Sequence, residues 1–164
     1  MNTFQALGLQ ERLLRAVESL GFTEPTPIQS EAIPQLINEK RDLIGLAQTG
    51  TGKTAAFGLP LLQKIDTNSR IPQALVLAPT RELCVQINKD LGNYGVNLDG
   101  FASVAVYGGA NIQEQIRALR KGVQVVVATP GRLIDLINRN ALDLGQVEIV
   151  VLDEADEMLN MGFK

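Results

Sequence analysis

The sequence has no histidine and a single cysteine, Cys84. These shortages exclude zinc centres built on His and Cys, thiol–imidazole nucleophiles and any internal disulfide, so acid–base chemistry has to rest on carboxylates. Tryptophan is absent and aromatics make up only 4% of the chain, too few for a platform that stacks successive bases. Positive charge is not in excess: the net charge is −3 and the pI is near 5.0. Any nucleic acid is therefore held locally, without a broad basic footprint. No apolar run reaches the roughly 20 residues of a membrane span. Met1 to Leu20 is too charged for a secretory signal. The expectation is a cytoplasmic protein with no membrane partner. At 164 residues it forms one domain, burying roughly 68–70% of its unfolded surface.

What is present is concentrated in Ala47-Gln48-Thr49-Gly50-Thr51-Gly52-Lys53-Thr54. The apolar run Leu43 to Leu46 precedes it and a helical pattern follows, which is the strand–loop–helix setting of a phosphate loop. Gly50 and Gly52 permit backbone angles barred to other residues, so successive amides converge on phosphate oxygens at the positive end of a helix. In this reading Lys53 neutralises the terminal phosphates of a nucleoside triphosphate and the Thr54 hydroxyl holds Mg²⁺. Position 47 departs from the generic pattern, which begins with Gly. A Gly-rich turn ahead of a helix is the alternative for this string taken alone.

Five apolar runs, Leu43 to Ala47, Ala74 to Ala78, Ser103 to Tyr107, Val123 to Ala128 and Ile149 to Leu152, alternate with stretches of helical spacing. Runs without polar alternation predict strands buried on both faces. The alternation predicts an α/β fold: an open parallel sheet with helices on both faces and right-handed crossovers. Residues 1–38 form an N-terminal helical elaboration and 39–164 the core, together one domain. Helices are expected over Gln10 to Leu20 and Ile28 to Ile37. Thr26-Pro27-Ile28-Gln29 reads as a helix start, with Thr26 as N-cap, Pro27 in the first turn and Gln29 closing a capping box.

Val150-Val151-Leu152-Asp153-Glu154-Ala155-Asp156 places two acids at the carboxyl end of a buried strand, where open α/β sheets bind ligands. Asp153 fits a Mg²⁺ ligand and Glu154 a base or orienting group for an attacking water. Acids favouring a helix N-terminus are the alternative for the string alone. Pro79-Thr80-Arg81-Glu82-Leu83 and Thr129-Pro130-Gly131-Arg132 each follow a predicted strand and open a helix. Both put amide donors beside an arginine, an arrangement that grips phosphates without reading bases. Threonine caps with surface arginines are the plainer account of both.

Together these strings resemble the DEAD-box ATP-dependent RNA helicases, whose name spells Asp153-Glu154-Ala155-Asp156. The resemblance covers the whole chain and implies a RecA-like P-loop NTPase fold. It implies that Gln29 reads the adenine edge of ATP and that Phe4, with Phe22 nearby, packs against the base. Ala47 is ordinary in that family's phosphate loop. Pro79, Thr80, Arg81, Thr129, Pro130, Gly131 and Arg132 are implied to track an RNA backbone independently of sequence, joined by Gly108 and Gly109 of Tyr107-Gly108-Gly109. Cys84 stands where the family usually carries a small Ala and reads as a buried small residue.

The resemblance also implies a second RecA-like domain and a Ser-Ala-Thr motif. The serines here, Ser19, Ser30, Ser69 and Ser103, are not followed by Ala-Thr. The core is therefore expected to be incomplete at its C-terminus, inactive by itself and prone to associate, with Leu43 to Leu46 as an exposed sheet edge. Two alternatives remain: another P-loop phosphotransferase, and a non-catalytic module that binds a nucleotide or a partner.

Overall fold

The computed structural model describes residues 3–48 and 50–163. They fall into two compact units, one of residues up to 65 with 90–99, the other of 66–89 with residues from 100 onward.

The first unit is helical. A 3-10 turn, Phe4–Leu7, leads into α1 (Glu11–Ser19), α2 (Pro27–Asn38) and α3 (Lys53–Lys64). Leu13, Val17, Ile33, Leu59 and Leu62 are buried at the centre of this unit. The Gln29 half of the predicted capping box forms, with Gln29 Oε1 accepting from the Thr26 amide at 2.9 Å and Pro27 at the first helical position, whereas the Thr26 hydroxyl makes no capping bond. Gly58 lets α3 approach the last turn of α4 (Arg81–Tyr94), where an added Cβ would lie 3.0 Å from Leu91 Cδ2.

The second unit is built on an all-parallel sheet of β1 (Ala74–Leu77), β2 (Ser103–Val106), β3 (Val125–Ala128) and β4 (Ile149–Leu152). Its order is β2-β3-β1-β4. Helices α5 (Ile112–Lys121), α6 (Pro130–Asn138) and α7 (Ala155–Asn160) follow β2, β3 and β4. Leu75, Val106, Val126 and Ala128 pack with Ile116 of α5 and with Leu133 and Leu136 of α6. The α4 helix meets the sheet through Cys84, whose thiol donates to the Val127 carbonyl at 3.2 Å. Cys84 is fully buried, as its sequence context predicts, and burial pushes its thiol up to about 12.

Two expectations need correction. Leu43 to Ala47 is not a strand, and Ile44 and Leu46 are 90% and 92% exposed. A strand exists only through a hydrogen-bonded neighbour, and no described residue pairs with this run. It is therefore an exposed apolar segment, and the edge strands of the sheet are β2 and β4. Nor is every strand buried on both faces. Val150 and Leu152 are exposed, because alternate residues of the edge strand β4 point to its uncovered face. The described residues contain no helix long and apolar enough to cross a membrane.

Candidate functional site

In the first unit the phosphate loop takes the backbone form its glycines permit. Gly50 and Gly52 both have left-handed φ, +82° and +84°, and Gly52 is the N-cap of α3. Thr51 Oγ1 donates to the Gln48 carbonyl at 2.6 Å, bracing the loop from within. Lys53 and Thr54 are the first two residues of α3, whose first turn carries no acid. The positive end of the helix therefore stands ready for an anion. Ala47 is half-buried just ahead of the loop, and Thr49 lies outside the described residues.

Gln29 is buried and joins the two sequence signals of this unit. While its Oε1 holds the start of α2, its Nε2 donates to the Gly52 carbonyl at 3.1 Å. The approach is so close that a Cβ at position 52 would collide with Gln29 Nε2 and come within 3.2 Å of Thr26 Oγ1. A glutamine amide has two donor hydrogens and two acceptor lone pairs, so these two bonds leave one of each for a base edge. Phe4 and Phe22 are also brought together, their rings stacked 6.2 Å apart, with Tyr94 edge-on to Phe22 at 6.3 Å. Phe4 is buried, while Phe22 is partly exposed over a depression lined also by Leu14, Val17, Glu11 and Glu18. Gln29 instead faces the phosphate loop.

In the second unit the strand registers decide the layout. Leu77 of β1 pairs with Ala128 of β3 and with Leu152 of β4, and Val106 of β2 pairs with Ala128. All four strands thus end level and point the same way. Across one carboxyl edge of the sheet they deliver, in order, Gly108 and Gly109, then Thr129 to Arg132, then Pro79 to Arg81, and lastly Asp153 and Glu154. The backbone ladder runs one residue past the strands, with Thr129 N bonded to Val106 O, Ala78 N to Ala128 O and Asp153 N to Leu77 O. That extension fixes where each string departs.

Asp153 is buried. Glu154 follows with φ 51° and ψ 49°, a left-handed conformation that costs an L-residue about 1–2 kcal/mol. It is the N-cap of α7, yet its side chain makes no capping bond there. No group of three or more His, Cys, Asp or Glu able to cage a metal occurs among the described residues.

The remaining strings meet around one turn. The Arg81 guanidinium lies 4.9 Å over the Tyr107 ring. Arg132 is half-buried and donates from NH1 to Gln115 Oε1 at 2.8 Å and to the Ala110 carbonyl at 3.3 Å. Gln115 Nε2 donates onward to the Tyr107 carbonyl at 3.1 Å. Gly108 and Gly109 stay exposed between these supports, Gly109 with φ +85°. Thr80 Oγ1 accepts from Leu83 N at 3.2 Å as a cap, whereas Thr129 makes no side-chain cap bond. Pro79 and Pro130 are buried, and Gly131 is exposed. Sequence reasoning passed over Gln115. Its signal was a polar residue on the apolar stripe of Ile112, Ile116 and Leu119.

A family profile described as "DEAD/DEAH box helicase" matches residues 26–164. The chain is similar to the DEAD-box ATP-dependent RNA helicase CshA of Bacillus cereus, being 56% identical over 163 residues that cover 99% of this chain and 31% of that protein. Among solved structures it resembles a DEAD box protein of the hyperthermophile Methanococcus jannaschii, with TM-score 0.88 and 42% identity over 98% of this chain and 44% of that one. It also resembles Saccharomyces cerevisiae Dbp5 bound to RNA and ADP BeF3, with TM-score 0.87 and 35% identity over 99% of this chain and 40% of that one. The chain thus spans about a third of the length of its CshA relative.

Proposed function

Since the chain belongs to the DEAD/DEAH box helicase family, we propose that it is the ATP-binding first RecA-like domain of a cytoplasmic ATP-dependent RNA helicase, with 39–164 as its RecA-like core and 1–38 as a helical elaboration. The observation that carries this reading is the level carboxyl edge of the sheet, where three strings suited to phosphate stand in a row beside an acid pair. Backbone amides and arginines at strand ends grip a nucleic-acid backbone without reading bases, so the RNA is bound independently of sequence.

On the nucleotide side, Gln29 selects adenine and Phe4 with Phe22 packs against the base, while Gln48, Thr49, Gly50, Thr51 and Gly52 cradle the phosphates. Lys53 neutralises them from the first turn of α3. Thr54 and Asp153 are hard oxygen donors that would hold Mg²⁺, which when bound offsets charge on the β- and γ-phosphates. Glu154, whose side chain makes no capping bond to α7, orients or deprotonates the attacking water.

A second RecA-like domain is the partner this reading requires, because arginines supplied from outside a phosphate site contribute on the order of 10³–10⁵ in rate to comparable reactions. The test is ATP hydrolysis, with and without single-stranded RNA, by this chain alone and joined to a second RecA-like domain. RNA-stimulated turnover in the joined form only is expected. Phosphate transfer to a small-molecule acceptor, or turnover indifferent to RNA in the joined form, would favour the phosphotransferase alternative.

A further inference from the structure

Gly108 and Gly109 can present their backbone to RNA only if the turn carrying them is held still, since two adjacent exposed glycines have no side chains with which to anchor themselves. The support comes from α5 and α6. Gln115, with only 7% of its surface exposed, uses both ends of its amide: Nε2 donates to the Tyr107 carbonyl at 3.1 Å, before the glycines, and Oε1 accepts from Arg132 NH1 at 2.8 Å. Arg132 closes the loop by donating to the Ala110 carbonyl, after the glycines, from NH1 at 3.3 Å and NH2 at 3.4 Å. Two side chains thus tie down the carbonyls on either side of the glycine pair. The two NH1 hydrogens of Arg132 are directed at Gln115 and Ala110.

We propose that Gln115 is a positioning residue for RNA, and that with Arg132 it forms a clamp fixing the Tyr107–Ala110 turn so that Gly108 and Gly109 meet the RNA backbone in a preset geometry. This role rests on the RNA-binding reading above. It shifts the main work of Arg132 from gripping a phosphate to holding the turn, and leaves Arg81, exposed over Tyr107, as the charge nearest the glycines. An ordered turn binds without first losing backbone freedom, so releasing it weakens RNA without touching the nucleotide residues.

The test uses the 164-residue chain in its unsubstituted form and as Gln115→Met and Gln115→Glu. Methionine keeps the bulk and removes both bonds; glutamate keeps the acceptor for Arg132 and removes the donor to Tyr107. Three quantities are measured: the ¹⁵N order parameters of Gly108 and Gly109, the affinity for a fluorescent oligouridylate across a salt series, and ATP affinity. Order parameters near 0.85 in the unsubstituted chain should fall below about 0.6 in Gln115→Met. RNA affinity should weaken about tenfold, the freedom regained by roughly one backbone residue. The salt slope and ATP affinity should stay unchanged, whereas Arg81→Ala should lower the slope by about 0.7, one phosphate contact on a single strand. In Gln115→Glu, Gly108 should loosen more than Gly109. An ordered turn in both variants, unchanged RNA affinity or a lowered slope in Gln115→Met would each overturn the role while leaving the RNA reading intact. Failure of the unsubstituted chain to bind the oligouridylate, together with turnover indifferent to RNA in the form joined to a second RecA-like domain, would remove that reading and this role together.

Discussion

The side-chain amide of Gln29 donates to the carbonyl of Gly52 at 3.1 Å, so the residue that forms one half of the capping box of α2 also holds the last glycine of the phosphate loop. Gln29→Ala should therefore act twice. Loss of a base contact should erode the preference for ATP over GTP. Loss of the Gly52 bond should weaken both nucleotides by about two- to tenfold, the worth of one hydrogen bond. Calorimetric titration with each nucleotide separates the effects, and undiminished discrimination would remove Gln29 from adenine recognition.

Glu154 combines a left-handed backbone with a side chain that caps nothing. Glu154→Gly should relieve about 1–2 kcal/mol of strain and lose about 0.4–1 kcal/mol through a freer unfolded chain. A net change between zero and a gain of about 1.6 kcal/mol is expected in urea melts. Glu154→Gln keeps the strain and should leave stability within about 0.5 kcal/mol of the parent. In the form joined to a second RecA-like domain, both variants should bind ATP and lose turnover. Normal turnover by Glu154→Gln would take the carboxylate out of the chemistry.

Gln124 is fully buried beside β3. Its Nε2 donates to the Ser69 and Gly100 carbonyls at 3.1 Å each, and its Oε1 accepts from Ala102 N at 2.8 Å. Gln124→Ala removes one side chain and strands backbone groups from two loops. A loss of about 2–4 kcal/mol is expected, read as a lowered urea midpoint with an unchanged m-value. A shift below about 0.5 kcal/mol would mean that water replaces the amide at little cost.

Alkali should destabilise the chain through its buried thiol. The Cys84 thiol ionises near 9.0 when unfolded and near 12 when buried. Between those values the folded state keeps a proton that the unfolded state has released. The stability tied to the protonated thiol is therefore full below pH 9 and is lost as pH rises through this window, by up to about 1.4 kcal/mol per unit. Tyr94 is also pushed above its ordinary value, by burial and then by the nearby Asp90 charge, and contributes a loss of the same sign above pH 10. Urea midpoints at pH 8, 9.5 and 10.5 check the slope, which Cys84→Ala should reduce. A flat profile would show that the thiol is reached by water.

Legibility in the sequence followed how local each cause is. Lys53 and Thr54 begin α3 because the glycines and the helical pattern lie next to them, and Gln29 forms its half of the capping box from three residues away. Leu43 to Leu46 misled because an apolar run says nothing of the neighbour a strand must find. Glu154 gave no sign of its left-handed turn, since that conformation is set by the departure of the chain from β4 into α7 and Glu has no preference for it. Gln115 and Gln124 interrupt apolar stretches, a pattern that marks buried amides only after the sheet has brought their partners close.

The order of strands across the sheet differs from the order in which a ribosome makes them. β1 is synthesised first but takes an inner place, between β3 and β4. One of its edges waits for Val125–Ala128 and the other for Ile149–Leu152, which begins about 70 residues after Leu77. At about 5–20 residues per second, the second edge stays open for about 4–14 s of translation. During that interval Ala74–Leu77 is an apolar strand with one edge unpaired, the kind of edge on which another chain can add a strand.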